Sequence, residues 1–174
     1  MQTTDGYTFQ LSKNVTRHKV TFTNRFGIDL VGDLYLPDNL TEKQAALVVS
    51  GPFGAVKEQS SGLYADELAR HGFITLAFDN SFTGESGGKA RNIASPEIFT
   101  EDFSAAVDYL TTRKEVDTDK IAAMAICGLS GMAITAMTVD PRIKAVATSS
   151  MYDMSNSIGC GYMNSYTKMT KIPF

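Results

Sequence analysis

The sequence predicts an α/β protein: a three-layer α/β/α sandwich with a mostly parallel sheet and an antiparallel hairpin at its N-terminal edge. Three observations carry this. Residues 15–36 alternate like two strands around a turn, and after residue 44 short apolar runs alternate with helical stretches. The chain has 174 residues, 43% of them hydrophobic, and a domain of about 150 residues buries roughly two-thirds of its unfolded surface. A single domain over 1–174 is expected, with 151–174 a tail of no clear period.

Each element has a local reason. VTRHKVTF is rich in β-branched and aromatic residues, Asn24-Arg25-Phe26-Gly27 supplies a turn, and Ile28, Leu30, Leu34 and Leu36 fall on one face of a half-buried return strand. AALVVS (45–50) and FITLAF (73–78) are continuous apolar runs, as strands covered on both faces require. Between them a helix spans about Glu58 to His71, stopped by Gly72. Ser95-Pro96-Glu97 opens the next helix with a capping serine, a proline at the first helical position and an early acid. Phe99, Phe103, Ala106, Val107 and Leu110 then share a face. IAAMAI (121–126) is a strand, a helix from about Gly128 to Val139 follows, Asp140-Pro141 breaks it, and IKAVAT (143–148) is the sixth strand.

Composition removes several function classes. A net charge of −3 with interspersed signs offers no field for nucleic acid or an anionic membrane. No apolar run reaches the roughly 20 residues that span a bilayer, and MQTTDGYTFQLSK does not have the pattern of a secretory signal. A cytoplasmic protein is expected. Cys127 and Cys160 are the two cysteines and His18 and His71 the two histidines. Without CxxC or HExxH spacing, neither a metal nor another cofactor is expected.

In an open α/β sheet, chemistry gathers at the carboxyl ends of the strands. Four stretches belong there: Gly51–Gly54, Asp79–Asn92, Cys127–Gly131 and Ser149–Asp153. The sharpest is strand, Cys127, helix, the pattern of a tight turn that lifts a nucleophile above the sheet. The positive end of the helix dipole would favour a thiolate there. A buried cysteine also commonly just fills space, so spacing alone leaves both readings open. Gly84, Gly87 and Gly88 fit a turn better than a phosphate loop. Lys57 or Arg91 could meet a substrate carboxylate.

The chain resembles the α/β-hydrolases, specifically the dienelactone-hydrolase-like bacterial branch. The resemblance rests on KVTFTNRFGIDLVGDLYLP, VVSGPFGAVKEQSSGLYADELARHGFITLAFD, TGESGG, AVDYLTT and AICGLSGMA followed by DPRIKAVATSSMYDM, in that order over about residues 15–155. It implies hydrolysis of small ester or lactone bonds, Cys127 at the nucleophile position, and oxyanion-hole amides from Phe53, Gly54 and Gly128. Asp153 stands just past the sixth strand as a triad acid in principle, and Ser130 is a second-ranked nucleophile. In two respects the sequence departs from the family pattern. Leu129 occupies a position usually small, which implies strain or a shifted helix start. The resemblance also implies two further strands carrying an acid and a histidine, so the match is to an α/β-hydrolase fold lacking its last strands. His18 and His71 read as structural. A catalytically incomplete fragment, acting at most in binding or assembly, is the alternative. In a sheet without those last strands, 143–148 forms an exposed apolar edge, and the expected outcome is a dimer across it, or aggregation, unless residues 151–174 fold back over it.

Overall fold

The computed structural model describes residues 6–38, 40–161 and 164–165. The hairpin comprises β1 (Val15–Thr23) and β2 (Asp29–Pro37), paired antiparallel with Val20 opposite Gly32. Asn24 closes its turn, its side-chain oxygen accepting the amides of Phe26 and Ile28, each at 3.0 Å. Then come β3 (Gln44–Ser50), α1 (Ser60–Arg70), β4 (Ile74–Phe78), α2 (Pro96–Thr111), β5 (Val116–Ile126), α3 (Ser130–Val139), β6 (Ile143–Ser149) and α4 (Met154–Cys160).

The six strands form one sheet in the order β1-β2-β4-β3-β5-β6. β2 meets β4 antiparallel, whereas β3, β4, β5 and β6 run parallel. The antiparallel edge and the parallel remainder are those expected from the hairpin and the helical crossovers.

Two apolar clusters sandwich the sheet. One gathers Leu30, Leu34, Val48, Leu76, Phe78 and Ile121 with Phe103 and Leu110 of α2 and Ala133 of α3. Each such fully buried Leu or Phe stabilises the fold by roughly 1.5–3 kcal/mol. The other joins Ala65 and Ala69 of α1 to Tyr35, Val49 and Ala77, and adds Tyr7 and Phe9 from the N-terminal segment. That second layer corrects the half-buried reading of β2. Asp33 and Tyr35 on its other face are buried at 1% and 0% exposure, because Tyr7, Phe9 and α1 cover them.

Two other expectations change in detail. The helix expected from Gly128 begins at Ser130, after a 3-10 turn over Cys127–Leu129; Leu129 is buried, and the displaced start accommodates it. The tail, which shows no period, carries the short helix α4, capped by Asp153. Its remaining part, 162–163 and 166–174, lies outside the described residues. No helix among the described residues is long and apolar enough to cross a membrane.

Candidate active site at the carboxyl end of the sheet

β5 is lined with alanines at its end, Ala122, Ala123 and Ala125, which lets neighbouring layers approach. The chain then turns at Cys127, whose φ is +60°. A non-glycine residue in this left-handed region costs roughly 1–2 kcal/mol, and such strain concentrates at functional sites. Cys127 is partly exposed and its thiol is free. Ser130 is fully buried, its hydroxyl donating to the Ala125 carbonyl at 3.0 Å. It clamps the turn and does not face the opening.

Around the turn the structure assembles the other expected residues. Gly51 (φ +101°) lies against the backbone of Ile126. Phe53 follows on the same loop and reaches Gly128: a Cβ built on Gly128 would sit 3.3 Å from Phe53 Cβ. The Phe53 ring packs on Phe99 with centroids 6.0 Å apart, and Gly54 takes φ +78°. From the other side, Met154 and Tyr152 close over Gly128, with Sδ 2.7 Å and Oη 3.3 Å from the same Cβ position. The end of β6 is tied to α1 by a 3.0 Å hydrogen bond between the Ser149 and Tyr64 hydroxyls.

Asp153 lies in this region with a local task. Its Oδ1 accepts the Asn156 amide at 2.9 Å and caps α4. The histidines are elsewhere. His18 is exposed on β1, at the sheet edge opposite β5 and β6. His71 ends α1, 3.4 Å from Glu67; the chain enters β4 just after it, so it lies at the amino end of the parallel strands, opposite Cys127.

A cleft of about 1360 Å³ opens between α2, α3 and residues 151–155, with Phe53, Gly128, Met132, Tyr152 and Met154 among its walls. Its far end carries Arg142, which is already paired with Asp140 at 2.7 Å and Asp108 at 2.5 Å.

The loop after β4 is built around two buried carboxylates that sequence reasoning did not single out. Asp79 accepts the amides of Lys57 (2.7 Å) and Glu85 (2.9 Å) and the Lys57 ammonium (3.1 Å). Burial pushes its carboxyl up while those donors pull it down, and the net direction is upward. Asp102, on α2, takes the Ser81 amide, the Ser81 hydroxyl and the Asn24 amide group, each at 2.8 Å. Lys57 is 0% exposed and Arg91 caps the turn by donating to the carbonyls of Gly84, Ser86 and Gly87. Neither is placed to meet a substrate carboxylate. GESGG is a turn, as read, and a packed one: a Cβ on Gly84 would strike the Asp79 carboxylate and one on Gly88 the Phe82 ring. The signal that could have revealed Asp79 is its position directly after an apolar strand, the position Cys127 also holds.

Among the described residues no group of His, Cys, Asp and Glu could hold a metal ion. The site contains a thiol on a strained turn, the Phe53–Gly54 loop close beside Gly128, and an adjoining cleft with apolar side chains in its walls.

Comparison with known proteins agrees with this architecture. Residues 27–169 match the model of the X-Pro dipeptidyl-peptidase (S15 family). The uncharacterized protein PA2218 of Pseudomonas aeruginosa is 58% identical over 161 residues, covering 92% of this chain and 43% of that protein. Its crystal structure superposes with a TM-score of 0.91 over 95% of this chain and 52% of its own. The uncharacterized protein YcjY of Escherichia coli is 42% identical, over 90% of this chain and 53% of that one. Thiohydrolase aneE of Aspergillus aculeatus is 31% identical over 75% of this chain and 40% of its own length. The α/β hydrolase GrgF from a Penicillium species matches with a TM-score of 0.71 and 26% identity, over 76% of this chain and 45% of that one. A dienelactone hydrolase-like promiscuous phosphotriesterase from metagenomic libraries shares the fold at a TM-score of 0.63 and 21% identity, over 84% and 64%. The chain spans about half the length of the curated relatives it matches.

Proposed function

The chain belongs to the X-Pro dipeptidyl-peptidase (S15) family, with an α/β-hydrolase fold, and on that premise we propose that it takes acyl groups from small esters, thioesters or lactones onto Cys127. The carrying observation is the backbone at Cys127: φ +60° directly after a buried parallel strand and before a helix, which supports the reading because a nucleophile elbow requires such a strained strand-to-helix turn. The thiohydrolase name of one relative adds thioesters to the substrate class.

In the proposed step the Cys127 sulfur attacks the acyl carbon and the carbonyl π pair moves onto oxygen. The amides of Gly128 and of the Phe53–Gly54 loop are the donors that would meet that oxygen. Collapse expels the alkoxide, phenolate or thiolate, and the thiol proton passes to solvent or the leaving group. Water must then release the acyl group from sulfur.

A second reading rests on a specific observation. Both histidines lie away from Cys127, one at the opposite sheet edge and one at the opposite end of the strands. Loss of a triad member typically leaves only about 10³–10⁴-fold catalysis over water, although cysteine retains a few per cent thiolate without a base. On this reading the chain acylates once and turns over poorly.

One experiment separates them: hydrolysis of p-nitrophenyl acetate by the wild type and by Cys127→Ala, followed past one equivalent of product. Sustained release abolished by Cys127→Ala supports turnover. A single-equivalent burst lost in the variant supports the second reading. Equal release from both proteins refutes Cys127 as the acyl acceptor.

A further inference from the structure

Lys57 is a fully buried ammonium, and the proposed chemistry does not use it. Its Nζ lies 2.5 Å from Glu58 Oε1, 3.1 Å from Asp79 Oδ2 and 2.5 Å from Glu85 Oε2. Its own amide donates to the other oxygen of Asp79 at 2.7 Å. Stripping an ammonium of water is costly unless it is paired, and an apolar replacement of similar volume often stabilises a fold as well or better. Stability alone therefore gives no strong reason for this arrangement, whereas its geometry suggests another.

Asp79 follows β4 and grips two loops at once: Oδ1 holds Lys57 of the 51–57 loop, and Oδ2 holds the Glu85 amide of the GESGG turn. The 51–57 loop is thus fixed at both ends, at Gly51 by contact with Ile126 and at Lys57 by Asp79. Phe53 and Gly54 lie between these two anchors. An oxyanion hole depends on donors placed within a few tenths of an ångström of the developing charge.

We propose that the buried Lys57–Asp79 pair is a positioning element that sets the Phe53–Gly54 amides against the Cys127 turn. The proposal rests on Cys127 as acyl acceptor. It assigns Lys57 no contact with substrate.

The test compares two reactions of the same sulfur in a Cys160→Ala background, where Cys127 is the single thiol. Acylation by p-nitrophenyl acetate develops an oxyanion and is read as first-equivalent p-nitrophenolate release. Alkylation by iodoacetamide displaces iodide, develops no oxyanion, and is read by mass. Lys57→Met is expected to slow acylation about 10-fold or more, a part of the ~10²–10³ attributed to a whole oxyanion donor, while alkylation stays within about 2-fold. Glu85→Gln, at the half-exposed rim of the cluster, is expected to slow acylation about 2–5-fold with unchanged alkylation. Unchanged acylation in both variants, or parallel changes in acylation and alkylation, would overturn the proposal. If Lys57→Met does not fold, Glu85→Gln decides alone: unchanged acylation there overturns it. A wild type that is alkylated at Cys127 but releases no first equivalent refutes the acyl-acceptor reading, and the proposal with it.

Discussion

Gly51 rests against the Ile126 backbone so closely that a Cβ on it would overlap the carbonyl oxygen and come 3.2 Å from the amide nitrogen. Its φ of +101° is also one that side-chain-bearing residues rarely adopt. Gly51→Ala therefore combines backbone strain with overpacking against an unyielding neighbour. A loss of about 2–4 kcal/mol is expected, measured as a lowered denaturant midpoint at unchanged slope. A loss below about 1 kcal/mol would mean the loop is not seated on β5 as described.

Gly128 is a different kind of glycine. Its obstacle is the far end of Met154, 2.7 Å from a built Cβ, with Phe53 Cβ and Tyr152 Oη each at 3.3 Å. A thioether can swing aside, so Gly128→Ala should fold with little loss. The methyl would nevertheless intrude between the turn and the Phe53 loop. Acylation of Cys127 is expected to fall about 10-fold or more, with a melting temperature within a few degrees of wild type. Unaltered acylation would show that this gap is not where the reacting carbonyl sits.

Strain at Cys127 makes a thermodynamic prediction independent of any substrate. With φ at +60°, alanine keeps the left-handed penalty whereas glycine removes it. Glycine also loses more backbone entropy on folding, which offsets part of the gain. Cys127→Gly is expected to be more stable than Cys127→Ala by up to about 1 kcal/mol. Reversal of that order in equilibrium unfolding would deny the turn its strain.

Cys127 was legible because strand, thiol and helix follow one another without interruption, and the Gly51–Gly54 loop because it leaves an apolar run. The antiparallel edge and the parallel remainder followed from the hairpin and the crossovers, whereas the strand order β1-β2-β4-β3-β5-β6 depends on pairings that local sequence does not announce. What was not legible depends on pairs distant in sequence. Tyr7 donates to Asp33 at 2.7 Å across 26 residues, so β2 gains a second buried face that no local alternation announces. Lys57, Asp79 and Glu85 are separated by 22 and 28 residues, and nothing in KEQSS marks a lysine that folding will bury completely. α4, capped by Asp153, is shorter than two helical turns, too short for a period to show. The displaced start of α3 was foreshadowed by Leu129, whose bulk does not fit directly after a tight turn.

The cluster around Lys57 also predicts acid behaviour. Hydrogen bonds from Lys19 and Lys57 hold the Glu85 carboxyl down to about 2, against roughly 4.3 in an unfolded chain. A carboxylate with a depressed folded pKa contributes stability that is present above the unfolded value and lost as pH falls through the folded one. The stability difference between wild type and Glu85→Gln is therefore expected to be constant at pH 6–7, to shrink below about pH 4.5 and to be lost only below the folded value, at about pH 1. Its size is modest, because Glu85 is about half exposed and solvent screens it. Unfolding curves of both proteins across this range check it; a difference that grows on acidification would contradict the pairing.

The last prediction concerns β6. Among the described residues it has a strand neighbour on one side only, β5. Lys144, Ala145, Ala147 and Thr148 are exposed along it. The neighbouring α3 is apolar on its outer side as well, with Ile134, Met137 and Val139 exposed at 41%, 39% and 66%. Apolar side chains exposed together beside Thr135 and Thr138 mark a surface suited to association, and an edge strand bearing one lysine is a template for another strand. The 174-residue chain is expected to self-associate through β6, burying both surfaces at once. Light scattering behind size exclusion should report a dimer or larger species for the wild type and a shift toward monomer for Ala147→Lys, which places a charge on the pairing edge. A monodisperse wild-type monomer would mean that this edge does not recruit a second copy.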